Sequence, residues 1–195
     1  ECLIYSGIDR LDSQLGYNIT NCVTACKRCN TMKNGRTLDD FLARIRKIVN
    51  RDLIPATQNL VDYTKSDAAI NDLIRGYTTG AKNRNLSYSL TKEEFTKLIS
   101  TSCHYCNDRP SRLRKVNSTS SIYFNGVDRK NSDLGYETDN VVPCCTDCNF
   151  LKGTIEYIDF LDHIKKIYTK TKSISIDPEA TGFTPIKSTQ AHLQN

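Results

Sequence analysis

The chain runs to 195 residues, with 27 lysines and arginines against 22 aspartates and glutamates, a formal net charge of +5 and nine cysteines. A surplus that small permits a polyanionic partner without requiring one, and no apolar run approaches the length of a membrane span. No signal peptide opens the chain, so the cysteines point away from a secreted disulfide scaffold. They point towards thiolate chemistry in an intracellular compartment, cytoplasmic or, in a eukaryotic host, nuclear.

The chain repeats itself. "GIDRLDSQLGY" begins at Gly7 and "GVDRKNSDLGY" at Gly126, 119 positions later, and Tyr5 to Val49 aligns with Phe124 to Tyr168 without a gap. The identities include Asp9/Asp128, Arg10/Arg129, Gly16/Gly135, Asn21/Asn140, Cys26/Cys145, Cys29/Cys148, Asn30/Asn149 and Lys33/Lys152. These are mostly polar residues, glycines and cysteines, the types that chemistry and special backbone geometry demand. The pattern is that of a duplicated domain; solenoid periods are shorter. It predicts four parts: a first module over 1–50, a connector over 51–65, a longer module over 66–170 and a tail over 171–195.

In chain order, the first copy closes with a helix that opens at Thr37 and Asp40 and carries Phe41, Leu42, Ile45 and Ile48 on one face. The connector contains Pro55 and polar residues that break any apolar period. From Ser66, Ile70, Leu73, Ile74 and Tyr77 fall at helical spacing, and a Thr91 to Glu94 capping box precedes Phe95, Leu98 and Ile99, which predicts a helical hairpin. "CHYC" follows, then a polar, basic loop from Asn107 to Ser121. "IYFNGVDR" is expected as one strand and "NVVPC" as the next, with Gly135 and Tyr136 in the intervening loop. A last amphipathic helix is expected from Glu156 to Tyr168, and the tail beyond Lys172 reads as extended or disordered.

Cys103 and Cys106 form one Cys-x-x-Cys knuckle, Cys145 and Cys148 another. Two knuckles supply the four thiolates that a tetrahedral structural zinc takes, a redox pair or a disulfide being the other uses of such spacing. Cys144, replaced by Ala25 in the first copy, reads as a small buried apolar residue. Shifting Cys103 and Cys106 back by the repeat offset lands before Glu1, so the knuckle that would complete Cys26 and Cys29 is expected upstream, and the chain is expected to be a fragment. Asp128, at the end of a strand, and Asn149, at the start of a helix, offer the hard oxygen ligands that suit magnesium or manganese. Capping a turn and a helix is the alternative job for each.

A Cys-x-x-Cys, a strand ending in an acidic residue, a loop, an "NVVP" strand and then "CCTDCNFLKG" together resemble the HNH endonucleases, particularly their zinc-containing, endonuclease VII-like branch and HNH proteins of phages and viruses. The resemblance spans about 66–168. It implies an α+β chain of two tandem, zinc-stabilised ββα-metal domains, the first truncated at its N-terminus, that hydrolyse DNA, branched DNA included. Asp128 and Asn149 would hold the catalytic Mg²⁺ or Mn²⁺, with Asp9 and Asn30 matching them in the first copy. Cys103, Cys106, Cys145 and Cys148 would hold Zn²⁺, and Cys26 and Cys29 would be half of such a site. The chain departs from the family where a histidine is expected to follow the aspartate. Both copies carry arginine there, Arg10 and Arg129, and a guanidinium cannot accept the proton of an attacking water. Arginine at that position suits a phosphate clamp or an ion pair. None of the three histidines, His104, His163 and His192, recurs between the copies. Arg109, Arg112, Arg114 and Lys115, with Lys152, are the remaining expected DNA contacts; a solvated loop is the plain alternative for the first four. The rival to a nuclease is a zinc module that binds nucleic acid without cutting it.

Overall fold

The computed structural model describes residues 6–53, 66–118 and 120–174. Residues 1–5, the connector residues 54–65, Thr119 and the tail from 175 lie outside the described residues. The N-terminal segment opens with an antiparallel hairpin, β1 (Gly7–Arg10) and β2 (Cys22–Ala25), paired from Gly7↔Ala25 to Arg10↔Cys22. Helix α1 (Lys27–Lys33) follows, then α2 (Leu38–Val49), where Thr37 Oγ1 accepts the Asp40 amide at 3.2 Å. A 3-10 turn, Arg51–Leu53, ends this segment.

The C-terminal segment begins with α3 (Asp67–Lys82) and α4 (Lys92–Ser100). The expected capping box is present on α4: Thr91 Oγ1 accepts the Glu94 amide and the Glu94 carboxylate accepts the Thr91 amide. After the first knuckle come β3 (Arg112–Lys115), β4 (Ser121–Phe124), β5 (Gly126–Arg129) and β6 (Val141–Cys144), then α5 (Thr146–Lys152) and α6 (Tyr157–Thr171). Adding 119 to the bounds of β1, β2 and α1 reproduces those of β5, β6 and α5. The special backbone positions repeat too. Cys26 and Cys145 are the N-caps of α1 and α5, and the residues that stop these helices, Asn34 and Gly153, have φ of 52° and 53°, the left-handed region that asparagine and glycine tolerate best.

Two expectations change. "IYFNGVDR" is two strands, because buried Asn125 leaves the ladder between them: its amide donates to Ile99 O at 2.8 Å and its side chain to Thr101 O and Asp108 O. β4 therefore pairs with β3 while β5 pairs with β6. Part of the basic loop is consequently a strand. Arg112 to Lys115 pair with β4, and their side chains stay in solvent, so no alternation of polar and apolar residues marked them.

The apolar residues gather in two clusters. One draws on both segments: Met32, Phe41, Leu42 and Ile45 of the first meet Leu151, Phe160 and Ile164 of the second around the four cysteines, with α2 against α6. The other lies where α3 and α4 cover the β4–β6 region, with Ile70, Phe95, Ile99, Phe124, Val127 and Tyr136. The two hairpins differ most here. Val127 and Tyr136 are 3% and 6% exposed, whereas Ile8 and Tyr17, their counterparts in the repeat, are 60% and 71% exposed. Among the described residues no helix is long and apolar enough to cross a membrane.

Candidate metal centres and cleft

Cys103, Cys106, Cys145 and Cys148 are all buried, and their sulfurs lie within 4.8 Å of one another. With Zn–S bonds of about 2.3 Å, a tetrahedron has S···S edges of about 3.8 Å; the Cys106 and Cys145 sulfurs are 3.7 Å apart. Each half is shaped by backbone. Cys103 N donates to Asp108 O and His104 N to Pro143 O, while Cys145 Sγ accepts the Cys148 amide at the start of α5. Cys144, the spare, is 1% exposed and lies outside the four-sulfur group. Burial pushes the Cys148 thiol well up, so its thiolate needs compensating positive charge, which four closely packed sulfurs would find in Zn²⁺. A second cation stands beside them: Arg44 of α2 donates to Cys106 Sγ at 3.4 Å, to Asp108 and, at 2.8 Å, to Asp147.

Asp128 at the end of β5 is 5% exposed. One carboxylate oxygen accepts the Tyr105 hydroxyl at 2.7 Å, and both lie 3.3 Å from the Lys152 ammonium, which is wholly buried and also donates to Arg129 O. Burial raises the Asp128 carboxyl above its ordinary value against the opposing pull of Tyr105 and Lys152. Lys152, expected among the DNA contacts, thus faces inward and balances Asp128. Asn149 is exposed on α5. Arg129 directs Nη1 at the Ser132 and Leu134 carbonyls and stacks over Tyr136, which ties down the β5–β6 loop.

The N-terminal segment repeats this scheme, with Ile8 and Tyr17 exposed where their counterparts are buried. Lys33 is 3.3 Å from Asp9, Arg10 donates to Leu15 O and stacks over Tyr17, and Asn30 Nδ2 donates to Ile8 O, leaving Oδ1 as the acceptor. Asp9, Arg10, Lys27 and Asn30 line one cleft of about 810 Å³, with Tyr17 and Phe150 on its walls. A carboxylate and an amide oxygen on an open cleft beside Arg10 and Lys27 are a donor set that fits Mg²⁺ or Mn²⁺. Sequence reasoning missed the inward role of Lys33 and Lys152, although their identity in the repeat was the available signal. It also missed Tyr105, which sits inside the first knuckle, outside the aligned stretch of the repeat.

Cys26 and Cys29 meet a residue from the other segment. His163 Nε2 of α6 lies 3.3 Å from Cys29 Sγ, and the ligand atoms of all three residues fall within 4.8 Å. The Cys29 amide lowers the Cys26 thiol, while burial pushes Cys29 up to about 11. Burial, with Arg28 and Lys166 nearby, lowers His163. In the basic stretch, Arg114 pairs with Asp72 of α3 and Arg112 lies over the Phe124 ring; Lys115 ends β3 and Arg109 precedes it, both exposed.

No protein-family model matches the chain. An uncharacterized protein of Acanthamoeba polyphaga mimivirus is 34% identical to it over 149 residues, covering 75% of this chain and 26% of that protein. The chain thus spans about a quarter of that relative's length. Among solved structures it is similar to the rare-cutting HNH restriction endonuclease PacI, at 21% identity and a TM-score of 0.39, over 55% of this chain and 82% of that one.

Proposed function

We propose that the chain is a tandemly duplicated, HNH-type endonuclease module that hydrolyses DNA phosphodiester bonds, and that the cleft of the N-terminal segment is its accessible reaction site. The observation that carries this reading is the convergence of Asp9, Asn30, Arg10 and Lys27 on one open cleft. Asp9 and Asn30 would hold a divalent ion, which supplies Lewis-acid charge to a bound phosphate. Lys33 stands behind Asp9 as a buried positive charge. Arg10, held by Leu15 O and Tyr17, fixes the cleft rim and adds positive charge where a DNA backbone would enter. In the C-terminal segment the Tyr105 hydroxyl already occupies one Asp128 oxygen, so we assign that half, with its four-cysteine zinc, mainly to scaffolding and DNA contact through Arg109, Arg112, Arg114 and Lys115.

The rival reading, a module that binds without cutting, is favoured by one observation: Arg10 and Arg129 stand where a base is expected, and both are committed to loop carbonyls. Incubation with supercoiled and branched DNA plus Mg²⁺ or Mn²⁺ separates the two. Nicking that Asp9→Asn or Asn30→Ala lowers at least a hundredfold, with DNA affinity retained, supports the nuclease. Tight binding with no nick under any condition supports the rival, and cleavage indifferent to both substitutions removes the assignment to this cleft.

A further inference from the structure

The cysteine pair of the N-terminal segment has an unexpected neighbour whose position in the repeat is informative. His163 on α6 and Arg44 on α2 are counterparts, 119 positions apart, on the two helices that pack against each other. Each reaches across to the cysteines of the opposite segment: Arg44 Nη1 lies 3.4 Å from Cys106 Sγ, and His163 Nε2 lies 3.3 Å from Cys29 Sγ. The geometry is reciprocal, but the side chains differ in what they can give. A guanidinium has only donors, and it meets a group whose four thiolates already complete a tetrahedron. An imidazole has a lone pair, and it meets a group with only two thiolates.

We propose that Cys26, Cys29 and His163 form a second zinc site, assembled across the two segments, in which a histidine from one half of the chain supplies a ligand to the other. Cys26 Sγ accepts the Cys29 amide at 3.4 Å, matching the 3.5 Å of Cys145 with Cys148, so the first-segment pair already has the geometry of a metal knuckle. Zn–N near 2.05 Å and Zn–S near 2.3 Å give a tetrahedral N···S edge of about 3.6 Å, within a few tenths of an ångström of the 3.3 Å observed. Cys26 is exposed, so solvent reaches the fourth position. A soft divalent ion is the occupant that this donor set selects, because two thiolates and an imidazole suit zinc or cobalt and disfavour magnesium. The site would staple α1 to α6 at a point far from the four-cysteine centre in the chain, and it would fix the helix turn that carries Asn30, the residue after Cys29. This inference stands independently of cleavage, since its readout is metal content.

The test uses the full chain, loaded with Zn²⁺ or Co²⁺ and freed of loose metal by gel filtration. The expected content is two equivalents for the unaltered chain and about one for His163→Ala, whose second ion should bind more than about a hundredfold more weakly, as expected for loss of a direct ligand. Cys26→Ser, at an exposed position, should lose the same equivalent without unfolding the chain, which circular dichroism checks. His163→Cys should retain two equivalents and strengthen the thiolate-to-cobalt absorption, a gain that a merely structural histidine would not produce. One equivalent in the unaltered chain, or two equivalents in either His163→Ala or Cys26→Ser, overturns the proposal.

Discussion

Arg44 pairs with two carboxylates of the other segment, Asp108 and Asp147, and replacing it by methionine gives a calculable loss. Its side chain is 12% exposed, as is that of Asp147, to which Nη2 donates at 2.8 Å; Asp108 is 24% exposed. Breaking one buried ion pair while leaving the partner costs about 3–5 kcal/mol. Both carboxylates keep a second cation, Arg36 at 3.6 Å for Asp147 and Lys47 for Asp108, which places the loss near the lower end, at about 3 kcal/mol. Methionine keeps most of the apolar stem packing, so the loss is electrostatic rather than a cavity. With a urea m-value of about 2 kcal/mol/M, the midpoint of Arg44→Met should fall by about 1.5 M. Zinc content measured on the same samples separates loss of the ion pairs from loss of the metal. Arg44→Lys should recover part of the difference, since one ammonium cannot span two carboxylates. A midpoint within 0.25 M of the unaltered chain, about 0.5 kcal/mol, would refute the reasoning.

Lys152→Met leaves Asp128 buried without its ion-pair partner, so it should lower urea stability by about 3–5 kcal/mol, and the double variant with Asp128→Asn should regain most of that; equal losses for single and double variants would show that the pair is not coupled. Gly135→Ala puts a Cβ 2.0 Å from Ser87 Oγ and 2.4 Å from Ser87 O, where Tyr136 and Ser87 share a backbone hydrogen bond, so it should cost about 2 kcal/mol in a melt. Gly16→Ala, its counterpart, meets nothing within 4 Å and should stay within about 0.5 kcal/mol; a comparable loss at both glycines would contradict the packing account.

Local chemistry made much of the architecture readable. The Thr91–Glu94 box, the Thr37 cap, the apolar faces of α2, α3 and α6 and the paired knuckles each depend on residues within a few positions of one another, and each is present. What escaped depends on partners far along the chain. Asn125 breaks a strand because Thr101 and Asp108 carbonyls wait for its amide. Tyr105 matters because Asp128 ends up against it, and His163 because α6 packs on α2 beside Cys29. None of these encounters imposes a period on the sequence around it. Lys152 escaped for another reason: a lysine is ordinarily a surface residue, and its burial, like that of Lys33, is balanced by an aspartate fixed on the adjoining strand.

The two hairpins carry the same aspartate, arginine, asparagine and lysine, so the contrast between them isolates what the surroundings do. In the C-terminal segment α3, α4 and the first knuckle bury Val127 and Tyr136 and bring Tyr105 onto Asp128. The N-terminal hairpin has no such cover among the described residues, and Asp9 opens onto a cleft. Lys33 and Lys152 brace the two carboxylates alike, Asp9 at 9% exposure and Asp128 at 5%, but Asp128 also accepts the Tyr105 hydroxyl, a hydrogen bond that an incoming ion would have to displace. Two braced pairs of the same residue types therefore differ in what faces them, the Tyr105 hydroxyl in one and a cleft in the other, and among the described residues the roughly 35 residues of α3, α4 and their connection help to cover the second.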